Sequence, residues 1–503
     1  MQLNLTGIEY TYPGSAEPVL RGVTATFPRG WTGVVGDNGC GKTTLARIAC
    51  GQLSPDSGSV TGGLVGVVCE QDCGRRPGTL EDFACAYDRD AVALRAALGI
   101  EDDWAWRFDT LSGGQRKRLQ VACALWARPD LLVMDEPTNH VDAPTREAIA
   151  RALGAFDGVG LLISHDRALL DELCARCLFM GAGRATMRQG GWSQGSGQAG
   201  LERESALRAR ERAVRERSRL EREARRRREE ASRSAGMRSA GRVDPRDGDA
   251  KDRIRLAIYT GKDGVAGHLS SQMGRRLAEA ERAVGESFVP KRYDGDVWVD
   301  AEPSPRRFLV RFAARALPMG GGRSLDTPDL TIGGTEHVAL AGPNGCGKST
   351  LVRAIVGQIT HDPVVTCCYV PQEPDAGQVG RTMAELARLD DADRGRAMSV
   401  IARLNSSPGR ILEGGELSPG ELRKVMLALG VLRRPNLVVM DEPTNHLDIH
   451  STEALQALLA GYPGALLLAS HDERLLSAVT STRWEVGATG DGGARLIAGT
   501  PEC

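Results

Sequence analysis

The residues best able to do chemistry in this chain fall into a few short motifs, and nearly all of them occur twice. GDNGCGKT occupies 36–43 and GPNGCGKS occupies 342–349. Both fit G-x-x-x-x-G-K-[ST], whose glycines let successive backbone N–H groups turn inward on phosphate oxygens. The positions concerned are Gly36, Asp37, Asn38, Gly39, Cys40 and Gly41 in one loop. In the other they are Gly342, Pro343, Asn344, Gly345, Cys346 and Gly347. Lys42 and Lys348 are placed to neutralise β- and γ-phosphate oxygens, and Thr43 and Ser349 to offer a hydroxyl to Mg²⁺. Thr44 and Thr350 follow directly and join the phosphate-facing set.

The heptapeptide MDEPTNH stands at 134–140 and again at 440–446. Asp135 and Asp441 are hard oxygen donors suited to Mg²⁺. Glu136 and Glu442 are placed to polarise an attacking water. His165 and His471 close the apolar runs LLIS and LLLAS. A histidine at a strand end can be an ordinary surface residue, but the shared spacing points to a sensor near a γ-phosphate. LSGGQ at 111–115 puts Ser112, Gly113, Gly114 and Gln115 at a helix start, offering a hydroxyl and free N–H groups to an anion.

One offset relates the copies. Lys42 to Lys348, Leu111 to Leu417, Glu136 to Glu442 and His165 to His471 are each 306 residues apart. The chain is therefore a duplicated unit.

Each glycine loop follows an apolar strand, WTGVV or EHVALA, and precedes a helix, TLARIAC or TLVRAIVG. The acids end the apolar strands LLVMDEP and LVVMDEP, which Pro137 and Pro443 terminate. This order predicts an α/β fold with two P-loop domains, 1–184 and 306–503, and a linker over 185–305.

The linker opens with GGWSQGSGQAG, which reads as a flexible exit. Residues 201–232 then lack Gly and Pro and are dense in helix formers. Glu211–Arg215 and Glu221–Arg225 sit at i,i+4 spacing, so a long solvated helix is expected. The turn-forming stretch over 234–250 predicts a loop. Leu269, Met273, Leu277, Ala280 and Val284 then mark one apolar face of a returning helix. The expected element is an antiparallel helical hairpin with its tip near 234–250.

The net charge of −1 hides a segregation. Residues 201–242 carry 15 Arg and 8 Glu, a basic block on an acidic remainder. Such a block is either a solvated spacer or an arm for a polyanion, and the run Arg225–Arg228 beside Arg233, Arg238, Arg242 and Arg246 favours the arm. The first residues carry no signal-peptide pattern, and no stretch approaches 18 uninterrupted apolar residues, so a cytoplasmic chain is expected. The twelve cysteines, including the CxxC of Cys174 and Cys177, read as small buried apolar residues; no second ligand pair stands at metal spacing.

LSGGQ has nothing to read inside its own domain and makes sense if it closes on nucleotide held by another domain's loop. With this motif the chain resembles the ATP-binding cassette superfamily. Two cassettes, the EPTNH box, a charged helical linker and no membrane segment are together similar to the ABC-F family, across essentially the whole chain. Transporter cassettes commonly carry Ser-Ala where this chain has Asn139–His140 and Asn445–His446.

The resemblance implies two cassettes stacked head to tail around two ATP molecules. The Gly36 loop would face the second signature, with Ser418, Gly420 and Glu421, and the Gly342 loop would face 111–115. It assigns Gln71 and Gln372 to the Q-loops, as ATP contacts and Mg²⁺ ligands, and Tyr12 to adenine stacking, with a strand-surface tyrosine as the alternative. The second signature departs as LSPGE: Pro419 removes a backbone donor, and Glu421 adds negative charge near a γ-phosphate. The segment around Leu317, Pro318 and Met319 has no aromatic, and Met319 is a candidate to pack on adenine in its place. Functional asymmetry between the two sites is expected.

ABC-F proteins bind ribosomes, and their linker enters the tRNA exit site toward the P-site tRNA. The resemblance therefore implies a monomer that partners the ribosome, through ribosomal RNA and P-site tRNA, with Arg233, Met237, Arg238 and Arg242 at the linker tip. The short Gln71–Leu111 segment and the early end after the last strand pattern resemble the antibiotic-resistance branch. The expected role is protection of the ribosome from drugs acting at the peptidyl-transferase centre or exit tunnel. Alternatives are a housekeeping ABC-F translation factor and the ATPase subunit of a drug exporter.

Overall fold

The computed structural model describes residues 1–139, 141–181, 183–237, 249, 262–286, 301–412, 417–489 and 493–499, without the side chains of 230–237, 262–270 and 286. It forms two compact units, Met1–Gly195 with Arg292–Cys503, and Ser196–Lys291.

In the first copy a six-stranded sheet runs in the order Gly66–Cys69, Leu131–Asp135, Val159–Ile163, Gly30–Gly36, Cys174–Gly181, Arg184–Gln189. All neighbours are parallel except the last pair. Every residue of Leu131–Asp135 and Val159–Ile163 is buried, as continuous apolar runs in a sheet covered on both faces must be. Register fixes the site: Ile163 pairs with both Val34 and Asp135, so the glycine loop and the acids leave the sheet at one edge. Because Arg184–Gln189 pairs with Cys174–Gly181, this sheet continues past residue 184.

The second copy repeats the order from Cys367–Val370 through Leu437–Asp441, Ala465–Ala469, His337–Ala341 and Thr482–Ala488 to Ala494–Ala498. Ala469 pairs with Leu340 and Asp441, reproducing the edge. The accessory strands differ. The first copy has a separate three-stranded antiparallel sheet built around Gln2–Tyr10, whereas the second has a separate two-stranded one, Phe308–Phe312 with Leu330–Gly333, and extends its main sheet with the hairpin Arg315–Gly320/Arg323–Thr327.

The glycine/serine stretch is not a flexible exit. Trp192–Met237 is one helix of 46 residues that starts inside it. Trp192 is buried, stacked on Phe179 at 5.4 Å and edge-on to His450 at 5.6 Å, and its indole N–H donates to Glu453 at 3.2 Å. Asp171 accepts the Ser193 N–H and hydroxyl at 2.8 and 2.5 Å, satisfying donors of the first turn. Tertiary anchoring outweighs the poor helix propensity of Gly195, Gly197 and Gly200. The same helix covers 234–237, the start of the expected loop. Within the second unit, Leu220 and Ala224 of this helix pack on Met273, Leu277 and Ala280 of Lys262–Glu286, the face read from the sequence. Arg238 and Arg242 lie outside the described residues, as do the side chains of Arg233 and Met237.

Every described cysteine is a free thiol, and Cys69, Cys123, Cys174, Cys177, Cys346 and Cys368 are buried. No described helix is long and apolar enough to cross a membrane.

Candidate nucleotide site

Both glycine loops end in a helix of their own cassette, Lys42–Ala49 and Lys348–Ile359. The residue before each helix, Gly41 or Gly347, has left-handed backbone with φ 98° and 102°. A Cβ there would stand 2.8 Å from Leu20 and Val19, or 2.5 Å from the Met319 sulfur, so only glycine fits. Lys42 Nζ donates to the Gly36 and Asp37 carbonyls at 2.8 and 3.1 Å. Lys348 Nζ does the same to Gly342 and Pro343 at 2.6 and 3.2 Å. The lysines thus lie folded over their loops, within reach of an anion held by the N–H groups.

The Thr43 hydroxyl donates to Asp135 at 2.8 Å, and Ser349 hydrogen-bonds Asp441. Burial pushes both aspartates above the usual carboxylate range. Asp441 Oδ1 is buried without a hydrogen-bond partner. A hard, orphaned carboxylate oxygen beside a hydroxyl is a donor set that fits Mg²⁺.

Glu136 and Glu442 are both buried and both carry left-handed backbone, φ 49° and 47°. Such a conformation costs a non-glycine residue roughly 1–2 kcal/mol, and its recurrence at the duplicate position marks a constrained turn. Their surroundings differ. Burial and the adjacent Asp135 push Glu136 up to about 8. His165 Nε2 stands 3.2 Å from it, and burial together with Lys42 pushes that imidazole down to about 3, so it is neutral. In the second copy the ring presents Nδ1, 2.7 Å from Glu442. There burial opposes charge on His471, but the Glu442 carboxylate outweighs it and raises the imidazole pKa. Lys348 Nζ is also 3.8 Å from Glu442.

The Gly36 loop and the second signature line one cavity of about 750 Å³, with Tyr12, Gln71, Asp135, Glu136, His165, Ser418, Gly420 and Glu421 on its walls. Tyr12 is 41% exposed, and its hydroxyl lies 2.9 Å from that of Thr44. The cassettes touch directly here. Asp37 accepts from Asn405 at 2.7 Å and meets His450 Nδ1 at 3.1 Å, and the Asn38 amide donates to the His446 carbonyl at 3.2 Å. A Cβ on Gly420 would come within 2.6 Å of that carbonyl, so the signature glycine lets its helix pack against the turn after the acids within the second cassette.

The other pairing is not assembled in the same way. The cavity at the Gly342 loop is lined by second-cassette residues, among them Met319, Arg323, Gln372, Glu442 and His471. Ser112, Gly113, Gly114 and Gln115 are not among them, and Gly113 lines a separate cavity with Thr43, Gln71 and Asp135 of its own cassette. The two loops also differ locally: where Asp37 clasps Asn405 and His450, the second loop has Pro343, which offers no side-chain acceptor.

Both signature serines cap their helices, Gly113–Trp126 and Pro419–Leu432, in reciprocal boxes with Gln115 and Glu421. Pro419 stands in the first helical turn, where its missing N–H costs the helix no hydrogen bond but leaves one donor fewer for an anion than Gly113 offers. Glu421 does not stand as a free charge; Arg410 pairs with it at 2.8 Å. Hydrogen bonds from Ser418 and the nearby Arg410 and Lys424 outweigh burial and hold its carboxyl below the usual range.

Three cations inside the signature helices escaped sequence reasoning. Buried Lys117 donates to the Glu70 and Gln71 carbonyls, both at 3.0 Å, pinning the Q-loop. Its duplicate Arg423 binds instead the carbonyls of Glu442 and Asn445 at 3.1 and 2.8 Å. Lys424 donates to Ser406 and Ser451. The signal was charge on a helix whose remaining face is apolar, but its partners lie far away in sequence.

A family model described as ABC transporter matches residues 20–139 and 325–445. With two such domains, the chain carries ATP-binding cassette ATPase domains in tandem. It is 29% identical to the Tylosin resistance ATP-binding protein TlrC of Streptomyces fradiae, covering 96% of this chain and 97% of that one. It is 26% identical to the Ribosome protection protein VmlR of Bacillus subtilis, over 97% and 87% of the two chains. It is 28% identical to the Energy-dependent translational throttle protein EttA of Mycobacterium tuberculosis, over 91% and 87%. These relatives are ABC-F proteins, and the chain is similar to them over more than nine-tenths of its length. Among solved structures, RNase-L Inhibitor superposes with a TM-score of 0.64 at 19% identity over 99% of this chain and 90% of that one, a likeness of fold.

Proposed function

We propose that this ATPase binds the ribosome and protects it from antibiotics acting at the peptidyl-transferase centre or exit tunnel. The observation that carries the reading is the match, linker included, to a tylosin-resistance protein over 96% of this chain. The charged helix Trp192–Met237 and its packed partner Lys262–Glu286 supply a stiff cationic arm suited to ribosomal RNA and P-site tRNA.

In this reading ATP binds between the Gly36 loop and the second signature, and a second ATP binds at the Gly342 loop. Lys42 and Lys348 hold β/γ oxygens. Thr43, Asp135 and Gln71, and Ser349, Asp441 and Gln372, hold Mg²⁺, which when bound neutralises phosphate charge. Glu136 and Glu442 orient and polarise water, and His165 and His471 hold those carboxylates in place. ATP closes the cassettes and sets the docked state; hydrolysis reopens them.

The test has two arms. The Glu136→Gln/Glu442→Gln double variant should co-sediment with ribosomes only in ATP; absence of ATP-dependent binding removes the ribosome reading. Shortening 234–250 should abolish rescue of translation from macrolides, lincosamides or pleuromutilins; undiminished rescue removes the tip from the mechanism. The likeness to a translational throttle protein favours a second reading, a translation factor. It predicts ribosome binding with no change in drug susceptibility.

A further inference from the structure

The second signature carries a carboxylate where the first carries an amide, and that carboxylate has a partner. Glu421 Oε2 accepts the Ser418 N–H at 2.9 Å and the Ser418 hydroxyl at 2.8 Å. Its other oxygen holds the Arg410 guanidinium at 2.8 Å. The carboxylate is thus fixed at three points and aims a cation. Arg410 remains 66% exposed at its side chain and lines the same cavity as the Gly36 loop and Lys42. In the first signature Gln115 makes the same cap without charge, and the neighbouring Arg116 turns back to the carbonyls of Phe108 and Asp109.

A lone carboxylate at this position would repel a triphosphate, and a lone flexible arginine would lose side-chain entropy on binding one. A pre-paired arginine avoids both: the acid is neutralised, and the planar fork is held before the anion arrives. We propose that Arg410 is a trans-acting phosphate-binding residue for the nucleotide on the Gly36 loop, with Glu421 as its positioning residue. The assignment rests on the composite-site reading given above. It makes Glu421 a device for presenting positive charge, and it gives this site an ATP-over-ADP preference that the other site lacks.

The test uses the full chain in a Glu442→Gln background, so that turnover reports the Gly36 loop, with ATP and ADP affinities measured by competition. Arg410→Ala should weaken ATP roughly 10- to 100-fold while ADP changes less than about twofold. Arg410→Lys should restore part of the loss. Glu421→Gln should give an intermediate loss, and the Arg410→Ala/Glu421→Gln pair should be no worse than Arg410→Ala alone. Equal weakening of ATP and ADP, or none of either, overturns the proposal. Ser418→Arg separates the two readings. If it abolishes turnover while Arg410→Ala does nothing, only the arginine assignment falls; if it leaves turnover intact, the composite site falls with it.

Discussion

Removing the imidazole of His450 should loosen the first nucleotide site, and only while that imidazole is charged. His450 Nδ1 lies 3.1 Å from Asp37 Oδ1, with the pair 29% and 52% exposed. Coulomb attraction at that distance is about 1–3 kcal/mol at effective dielectrics of 40–80. Solvent screening at a half-exposed aspartate cuts the net to about 1 kcal/mol, roughly fivefold in a closing equilibrium. The Asp37 contact raises the His450 pKa against the pull of burial, with Asp448 and Glu453 adding to it, while the Trp192 ring contributes no charge. Asp37 is lowered by His450 and Asn405. The signs follow. The His450 contribution is complete below the free imidazole value near 6.5 and fades as pH rises through the raised value. The Asp37 contribution is present above its ordinary 3.8 and fades as pH falls through the lowered value. ATP affinity measured in the Glu136→Gln/Glu442→Gln background should therefore fall about fivefold for His450→Gln at pH 6 and less than twofold at pH 9. In a cycle with Asp37→Asn, the double variant should lose no more than either single variant. Equal losses at both pH values, or additive losses, would refute the clasp.

Glu136→Gln and Glu442→Gln should reduce steady-state ATPase unequally, because one carboxylate faces a neutral histidine and the other a raised one; equal losses would count against asymmetry. Lys117→Met should leave the fold intact by circular dichroism yet weaken ATP affinity about tenfold, since charge-assisted bonds to the Q-loop carbonyls, worth about 1.5–3 kcal/mol each, disappear. Leu220→Ala should destabilise the helix pair by about 2 kcal/mol, seen as faster proteolysis within Ser196–Lys291 at unchanged ATPase activity.

Much of the arrangement of the candidate site was legible in the sequence, and for a local reason. A glycine loop, a strand ending in acids and a serine cap each specify their geometry within about ten residues, so the 306-residue offset was enough to pair them. The helix pair was legible through the spacing of Leu269, Met273, Leu277 and Ala280. What was not legible depends on partners distant in sequence. The stretch GGWSQGSGQAG looks unstructured until Trp192 finds Phe179 and Glu453. Lys117 and Arg423 occupy duplicate positions, yet one secures the Q-loop and the other the turn after the acids. Glu421 looked like a repulsive charge until Arg410 was placed beside it.

The duplicated halves keep their phosphate-facing parts alike and differ where each meets the other half. At the 306-residue offset Asp37 becomes Pro343, and His450 becomes Pro144. Both members of the clasp are thus replaced by side chains that neither donate nor accept, and the Gly342 cavity shows no first-signature residue on its wall. If the clasp sets the difference between the sites, it should be transferable. Pro144 lies in the first turn of Ala143–Gly154, where proline is favoured but not required, and Pro343 has no backbone donor to lose. The Pro144→His/Pro343→Asp double variant should strengthen ATP binding at the Gly342 loop about fivefold at pH 6, read in a variant whose first loop is disabled by Lys42→Ala. Neither single substitution should do so, because each installs a charge without its partner. A gain from Pro343→Asp alone would mean that the loop's backbone, not the cross-cassette pair, separates the two sites.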